Sequence, residues 1–201
     1  MTTPLFVAFE GIDGCGKSTH AKRVAAAVGA RFTFEPGDTP LGAVLRQRLL
    51  DASEPMTPET EALLMLADRS HHVASVIRPT LAEGRSVVSD RFFGSTLAYQ
   101  GYGRGLELAP LRAATEVAVG DCKPDLTIVI DIPVSVAHAR RAPSQRDRFE
   151  SATVDFHERV RNGFLDLARS ESNWLVIDGN QALGAVTEEV DSALKALGWF
   201  A

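Results

Sequence analysis

The densest chemistry in the chain lies at Gly11, Ile12, Asp13, Gly14, Cys15, Gly16, Lys17, Ser18 and Thr19, whose first eight residues fit the spacing G-x-x-x-x-G-K-S. Glycines at such positions let backbone N–H groups turn inward around phosphate oxygens. The lysine of the pattern reaches the β- and γ-phosphates of a nucleotide, the serine hydroxyl ligates Mg²⁺, and the helix that follows adds its partial positive charge. The setting supports the match. The apolar run Leu5-Phe6-Val7-Ala8-Phe9 ends at Glu10 just before the loop, and Ala21, Val24, Ala25 and Val28 recur at helical spacing just after it. Cys15, between loop glycines, reads as a small residue that fits rather than as a reactive thiol.

A second phosphate-binding chemistry is suggested by arginine. Four of the 21 basic residues are lysine (Lys17, Lys22, Lys123 and Lys195), which leaves 17 arginines. They gather near predicted strand ends and loops: Arg69, Arg91, Arg104, and the run Arg140, Arg141, Arg146 and Arg148. Guanidinium groups hold phosphate oxygens bidentately and keep their charge. Asp90, at the end of an apolar segment, is placed either to organise Mg²⁺ or to pair with its neighbour Arg91. The run 140–150 contains Pro143 and Ser144 between two helical patterns and reads as a lid, which brings charge to a transferring phosphoryl group when closed. There is no evident Ser-His or Asp-His arrangement. The five histidines lack metal-ligand spacing and read as surface residues: His71 and His72 are adjacent, while His20, His138 and His157 stand alone.

These residues need a scaffold, and the chain supplies an alternating one. Strands are expected at the start, at Arg31–Phe34, Ser86–Asp90, Leu126–Ile130 and Trp174–Ile177. Helices are expected after the loop, around Leu41–Leu49, from Pro58 toward Leu81 with a break or kink at Pro79, and over Leu108–Val119, Pro133–Arg141, Thr153–Arg169 and Leu183–Leu197. Leu63, Leu66, Ser70, Val73 and Ile77 form one stripe of the long helix, read as either core or a dimer face. Apolar strands alternating with helices predict an α/β fold on a mostly parallel five-stranded sheet, and 201 residues without repeat or linker predict one domain. The formal charge of −5 argues against binding nucleic acid as a polyanion. No apolar run suits a membrane span, and two cysteines with no basic leader point to the cytoplasm.

A phosphate loop alone leaves switch GTPases, ATPases and kinases open. The chain has no Asn-Lys-x-Asp segment of the kind that reads guanine. Several further segments carry a resemblance along nearly the whole length: Glu10-Gly11-x-Asp13-Gly14-x-Gly16-Lys17-Ser18-Thr19, Glu35-Pro36-Gly37-x-Thr39, Ala67-Asp68-Arg69, Asp90-Arg91-Phe92-x-x-Ser95-x-x-Ala98-Tyr99-Gln100-Gly101, Pro124-Asp125-Leu126 and Asp147-Arg148-Phe149-Glu150. Together they resemble the bacterial thymidylate kinases, P-loop nucleoside-monophosphate kinases.

The resemblance implies transfer of the γ-phosphoryl of ATP to dTMP, with Mg²⁺, in a homodimer. It implies that Arg69 and Arg91 hold the dTMP phosphate, that Glu35, Pro36, Met65, Ser95, Thr96, Tyr99 and Gln100 surround the nucleoside, and that Asp13 serves the sugar and metal. Ser18, Asp90 and Glu150 are the expected metal residues. A lid arginine, Arg146 or Arg148, acts at the transition state because the loop carries no arginine of its own. The chain departs from the family's usual pattern at Phe34, where arginine is common, at Asp38, where glycine is common, and at Met65, where a phenylalanine commonly stacks on thymine. A thioether can also lie against a ring face. Rival readings are another nucleotide kinase, for example one accepting dUMP, a deoxynucleoside kinase using Glu35 as base, and a nucleotide-binding switch that transfers nothing.

Overall fold

The computed structural model describes residues 3–140, 148–149 and 152–200. Five parallel strands form one sheet: β1 (Phe6–Glu10), β2 (Arg31–Phe34), β3 (Val87–Asp90), β4 (Leu126–Asp131) and β5 (Trp174–Asp178), in the order β2-β3-β1-β4-β5. β1 is buried along its whole length, as a central strand covered by helices on both faces must be. The register places Phe9 and Phe34 on either side of Asp90. The loops that begin at Gly11, Glu35 and Arg91 therefore leave the sheet at one height, at the carboxyl ends where open α/β sheets bind ligands.

The helices are α1 (Lys17–Val28), α2 (Pro40–Leu50), α3 (Pro58–His72), α4 (Arg78–Ala82), α5 (Phe93–Thr96), α6 (Leu108–Val119), α7 (Val134–Arg140), α8 (Val154–Ser170) and α9 (Leu183–Ala196). Thr39 caps α2 by accepting from the N–H of Gly42 at 2.8 Å, with Pro40 at the first helical position. Thr57 and Thr153 cap α3 and α8 in the same way. The expected interruption at Pro79 takes a specific form. A π-helical segment, Val73–Ile77, joins α3 to α4 and absorbs the missing proline N–H without ending the run. A second π-helical segment, Leu97–Gly103, follows α5 and carries Tyr99 and Gln100.

The long-helix stripe divides. Leu66, Val73 and Ile77 are core, while Leu63 is exposed. The histidines depart from expectation more clearly, since His20, His72 and His157 are buried. His72 is the instructive case, because hydrogen-bonding partners on both ring nitrogens remove the cost of burying it. No helix among the described residues is long and apolar enough to cross a membrane.

Candidate active site

The loop between β1 and α1 depends on glycine at its first position. Gly11 has φ +136°, and a Cβ there would stand 2.5 Å from the carbonyl oxygen of Ile130. Lys17, nearly buried, lies 3.4 Å from Asp13 Oδ1. Ser18 Oγ donates a hydrogen bond to Asp90 Oδ2, while Asp90 Oδ1 is buried with no hydrogen-bond partner among the described residues. A serine hydroxyl beside a carboxylate with an open oxygen is a hard-oxygen donor set, so these residues fit Mg²⁺. Among the described residues there is no group of three or more His, Cys, Asp or Glu that could hold a metal ion.

Arg91 occupies the centre. It is a non-glycine residue with φ +73°, a left-handed conformation that costs of order 1–3 kcal/mol and persists only where its surroundings impose it. They do so here. The Arg91 N–H donates to Phe9 O at 2.8 Å, and Ser89 Oγ donates to Arg91 O at 2.7 Å. Glu10, fully buried at the end of β1, accepts from the N–H groups of Phe92 and Ser95 at 2.9 Å each, and from Ser95 Oγ at 2.6 Å. Burial raises the pKa of Glu10, outweighing Arg91 and those hydrogen bonds. The Arg91 guanidinium donates to Asp13 Oδ1 at 2.6 Å, Ser95 Oγ at 2.8 Å and Tyr99 Oη at 3.1 Å. Tyr99 in turn donates to Asp13 Oδ2 at 2.9 Å. Burial opposes ionisation of Asp13, but Arg91, Lys17 and the Tyr99 hydroxyl together hold its carboxyl well below the usual range. Burial, only partly opposed by Arg91, pushes the Tyr99 phenol well above its ordinary pKa. The site holds an ionised Asp13 and a neutral Tyr99.

Two clefts meet at this centre. One is lined by Asp13, Glu35, Pro36, Arg46, Leu50, Met65, Arg69, Arg91, Ser95, Thr96, Tyr99, Gln100 and Phe149. The other adjoins the phosphate loop and includes Lys17, Ser18, Lys22, Phe32, Phe34 and Asp90. Asp13, Glu35, Arg46 and Arg91 line both. Every residue expected around the nucleoside thus lines a single cleft.

Arg69 differs from its expected role. It is buried, with Nε on Glu35 Oε2 at 2.8 Å, Nη1 on Thr96 Oγ1 at 2.7 Å and Nη2 on the Phe92 carbonyl at 2.9 Å, and it lines the first cleft only. Arg46, which sequence reasoning missed, lies at the junction and donates to Pro36 O at 2.7 Å, and its guanidinium sits over the Phe34 ring. Nothing in the local pattern of α2 distinguishes Arg46. Glu10 was missed too, although an acid closing an apolar strand was a readable signal. Arg148 donates to the carbonyls of Leu49, Asp51 and Glu54 at the C-terminal end of α2 and is not among the residues lining the two clefts. Arg141, Arg146, Glu150 and most of the expected lid lie outside the described residues.

Beneath the first cleft, burial and the charge of Glu35 push the Asp68 carboxyl from 3.8 up to about 6, against Arg69 and His72. The folded state therefore holds this proton more tightly than the unfolded chain does. Its favourable contribution is complete below pH 4 and is lost as pH rises through 6. Asp68→Asn is expected to match the wild type at pH 4 and to be more stable by about 2 kcal/mol at pH 7.5, checked by urea unfolding at both values.

A family model described as thymidylate kinase matches residues 9–190. A thymidylate kinase of Desulforudis audaxviator is 45% identical, covering 96% of this chain and 91% of its own. One of Geobacter sulfurreducens is 46% identical, covering 94% of this chain and 95% of its own. The crystal structure of thymidylate kinase from Ehrlichia chaffeensis superposes with a TM-score of 0.76 at 31% identity, covering 95% of this chain and 98% of that one. Matched by that family model over residues 9–190 and by these relatives over nearly its full length, the chain belongs to the thymidylate kinase family.

Proposed function

We propose that the protein transfers the γ-phosphoryl group of ATP directly to dTMP, giving dTDP and ADP. The single observation that carries this reading is the junction of the two clefts at Asp13, Arg46 and Arg91, with the phosphate loop on one side and, on the other, a cleft lined by Met65, Arg69, Thr96, Tyr99 and Gln100. The acceptor oxygen belongs to a phosphate that is largely ionised at pH 7, so the reaction needs no general base. The rival in which Glu35 deprotonates a nucleoside is disfavoured, because each oxygen of Glu35 already accepts a hydrogen bond, from Arg69 and from His72.

What the reaction demands is the approach of two polyanions in line, which positioning and fixed charge accomplish. Lys17 and the loop N–H groups bind the donor phosphates. Arg91, held rigid by Glu10, Asp13 and Ser95, takes the acceptor phosphate together with Arg46, whose remaining N–H groups face the junction. This assigns to Arg46 the part expected of Arg69. Arg69 instead stands with Met65, Thr96 and Gln100 at the base end, where its two unspent N–H groups can be offered to thymine. Tyr99 lies beneath the deoxyribose. Pinned by Asp13 and Arg91 and packed edge-on by Phe149, Phe156 and Phe164, its ring cannot yield to a 2′-hydroxyl. Ser18 and Asp90 would hold Mg²⁺, which supplies neutralisation of the β- and γ-phosphate charge when bound. The transition-state arginine falls to the lid, with Arg146 and Arg148 the two candidates.

The reading extends to a cytoplasmic homodimer. Two free buried cysteines suit a reducing compartment, and Leu41 and Val44 of α2, Leu63 of α3 and Val117 of α6 present exposed apolar area.

Direct transfer requires both substrates at once. Adenosine and thymidine joined through five phosphates should inhibit competitively against both ATP and dTMP, whereas competition against one substrate alone would count against the shared junction.

A further inference from the structure

His72 enters none of the steps above, yet it is one of the most buried polar residues, 1% exposed on the last turn of α3. Its Nδ1 lies 2.8 Å from Glu35 Oε1 and its Nε2 lies 2.5 Å from Thr33 Oγ1. A carboxylate only accepts, so Nδ1–H donates to Glu35. The other Glu35 oxygen accepts from Arg69 Nε, and Arg69 spends one N–H on Thr96 and one on Phe92 O. A guanidinium has five N–H groups, so two remain, one on each terminal nitrogen. Thr33, His72, Glu35, Arg69 and Thr96 thus form an unbroken hydrogen-bonded chain, buried throughout, from β2 through α3 to the cleft wall.

We infer that His72 is a positioning residue for acceptor recognition: by fixing one oxygen of Glu35 it turns the other onto Arg69 Nε and so aims the two unspent Arg69 N–H groups into the first cleft. The inference rests on that cleft taking dTMP. The alternative is a histidine that only fills space between β2 and α3.

Two variants separate these roles. His72→Asn places its amide nitrogen near the position of Nδ1, keeping the donor to Glu35 while deleting the Thr33 contact and leaving the larger void. His72→Gln reaches toward Thr33 and removes the donor to Glu35. Positioning predicts that His72→Gln raises KM for dTMP about tenfold, with kcat and KM for ATP within about twofold, and that His72→Asn keeps KM for dTMP within about twofold. A space-filling role predicts the reverse order, or parallel shifts of both KM values with Tm. Either result overturns the inference, as does an unchanged KM in both variants. If neither variant folds, the wild-type protein labelled with ¹⁵N-histidine carries the test. The buried His72 ring N–H should shift on saturation with dTMP and not with ATP, and no shift with dTMP overturns the inference. A wild-type protein that turns over other acceptors but not dTMP would refute the functional reading instead.

Discussion

Replacing Arg91 by alanine is expected to lower kcat about 10³-fold. Loss of a single preorganised donor to developing charge costs about 10²–10³ in rate, and arginines at a transferring phosphoryl group are worth more. Arg91 is preorganised to an unusual degree. Its left-handed backbone is clamped from β1 by Phe9 O and from β3 by Ser89, and its guanidinium is fixed by Asp13, Ser95 and Tyr99. Burial alone would lower its pKa, but Asp13, Tyr99, Asp90 and Glu10 hold it well above the ordinary value, so its positive charge is permanent. Arg91→Lys keeps the charge and loses the planar fork, and it should recover only part of the rate. Steady-state kinetics with dTMP varied at saturating ATP provide the check. A rise confined to KM, with kcat intact, would mean that Arg91 binds ground state and transition state equally and does not accelerate the transfer.

Lys17→Met should cost at least as much. Lys17 is the lysine of the loop itself, nearly buried, lining the second cleft and paired with Asp13. Methionine preserves the length and removes the charge, so the donor phosphates lose their only side-chain cation from the loop. A fall in kcat of about 10³-fold or more is expected, together with weaker ATP binding by calorimetry. The fold should survive, since the packing of α1 on the sheet rests on Ala21, Val24 and Ala25. Unaltered ATP affinity with full turnover would remove Lys17 from the mechanism.

Much of this molecule was legible before its coordinates. The five strands, the phosphate loop and the pair Asp90-Arg91 are written in local spacing, because a strand end, a glycine and a charged residue in succession have few structural solutions. What was not legible depends on where distant segments meet. Arg69 looked like a phosphate ligand because a helical arginine near a cleft carries no mark of its partners. Glu35, and Phe92 with Thr96, which occupy it, come from two other stretches of chain. Arg46 was overlooked for the same reason, since its role exists only because its side chain reaches over Phe34 at the end of β2 to the Pro36 carbonyl. His72 read as a surface residue because a lone histidine shows no pairing in sequence, and its two partners lie 37 and 39 residues away. Arg148 belongs to a charge-rich run that suggested catalysis, and its carbonyl partners at the end of α2 come from a distant stretch of chain.

The most direct test of the account is an acceptor panel. The protein is incubated with Mg-ATP and, separately, thymidine, dTMP, dUMP, UMP, AMP or GMP, and products are resolved by chromatography. The account predicts that dTDP from dTMP forms fastest, that dUMP is a weaker acceptor and that UMP is rejected by the Tyr99 ring. Turnover of thymidine without turnover of dTMP, or tight ATP binding with no transfer to any acceptor, would contradict it.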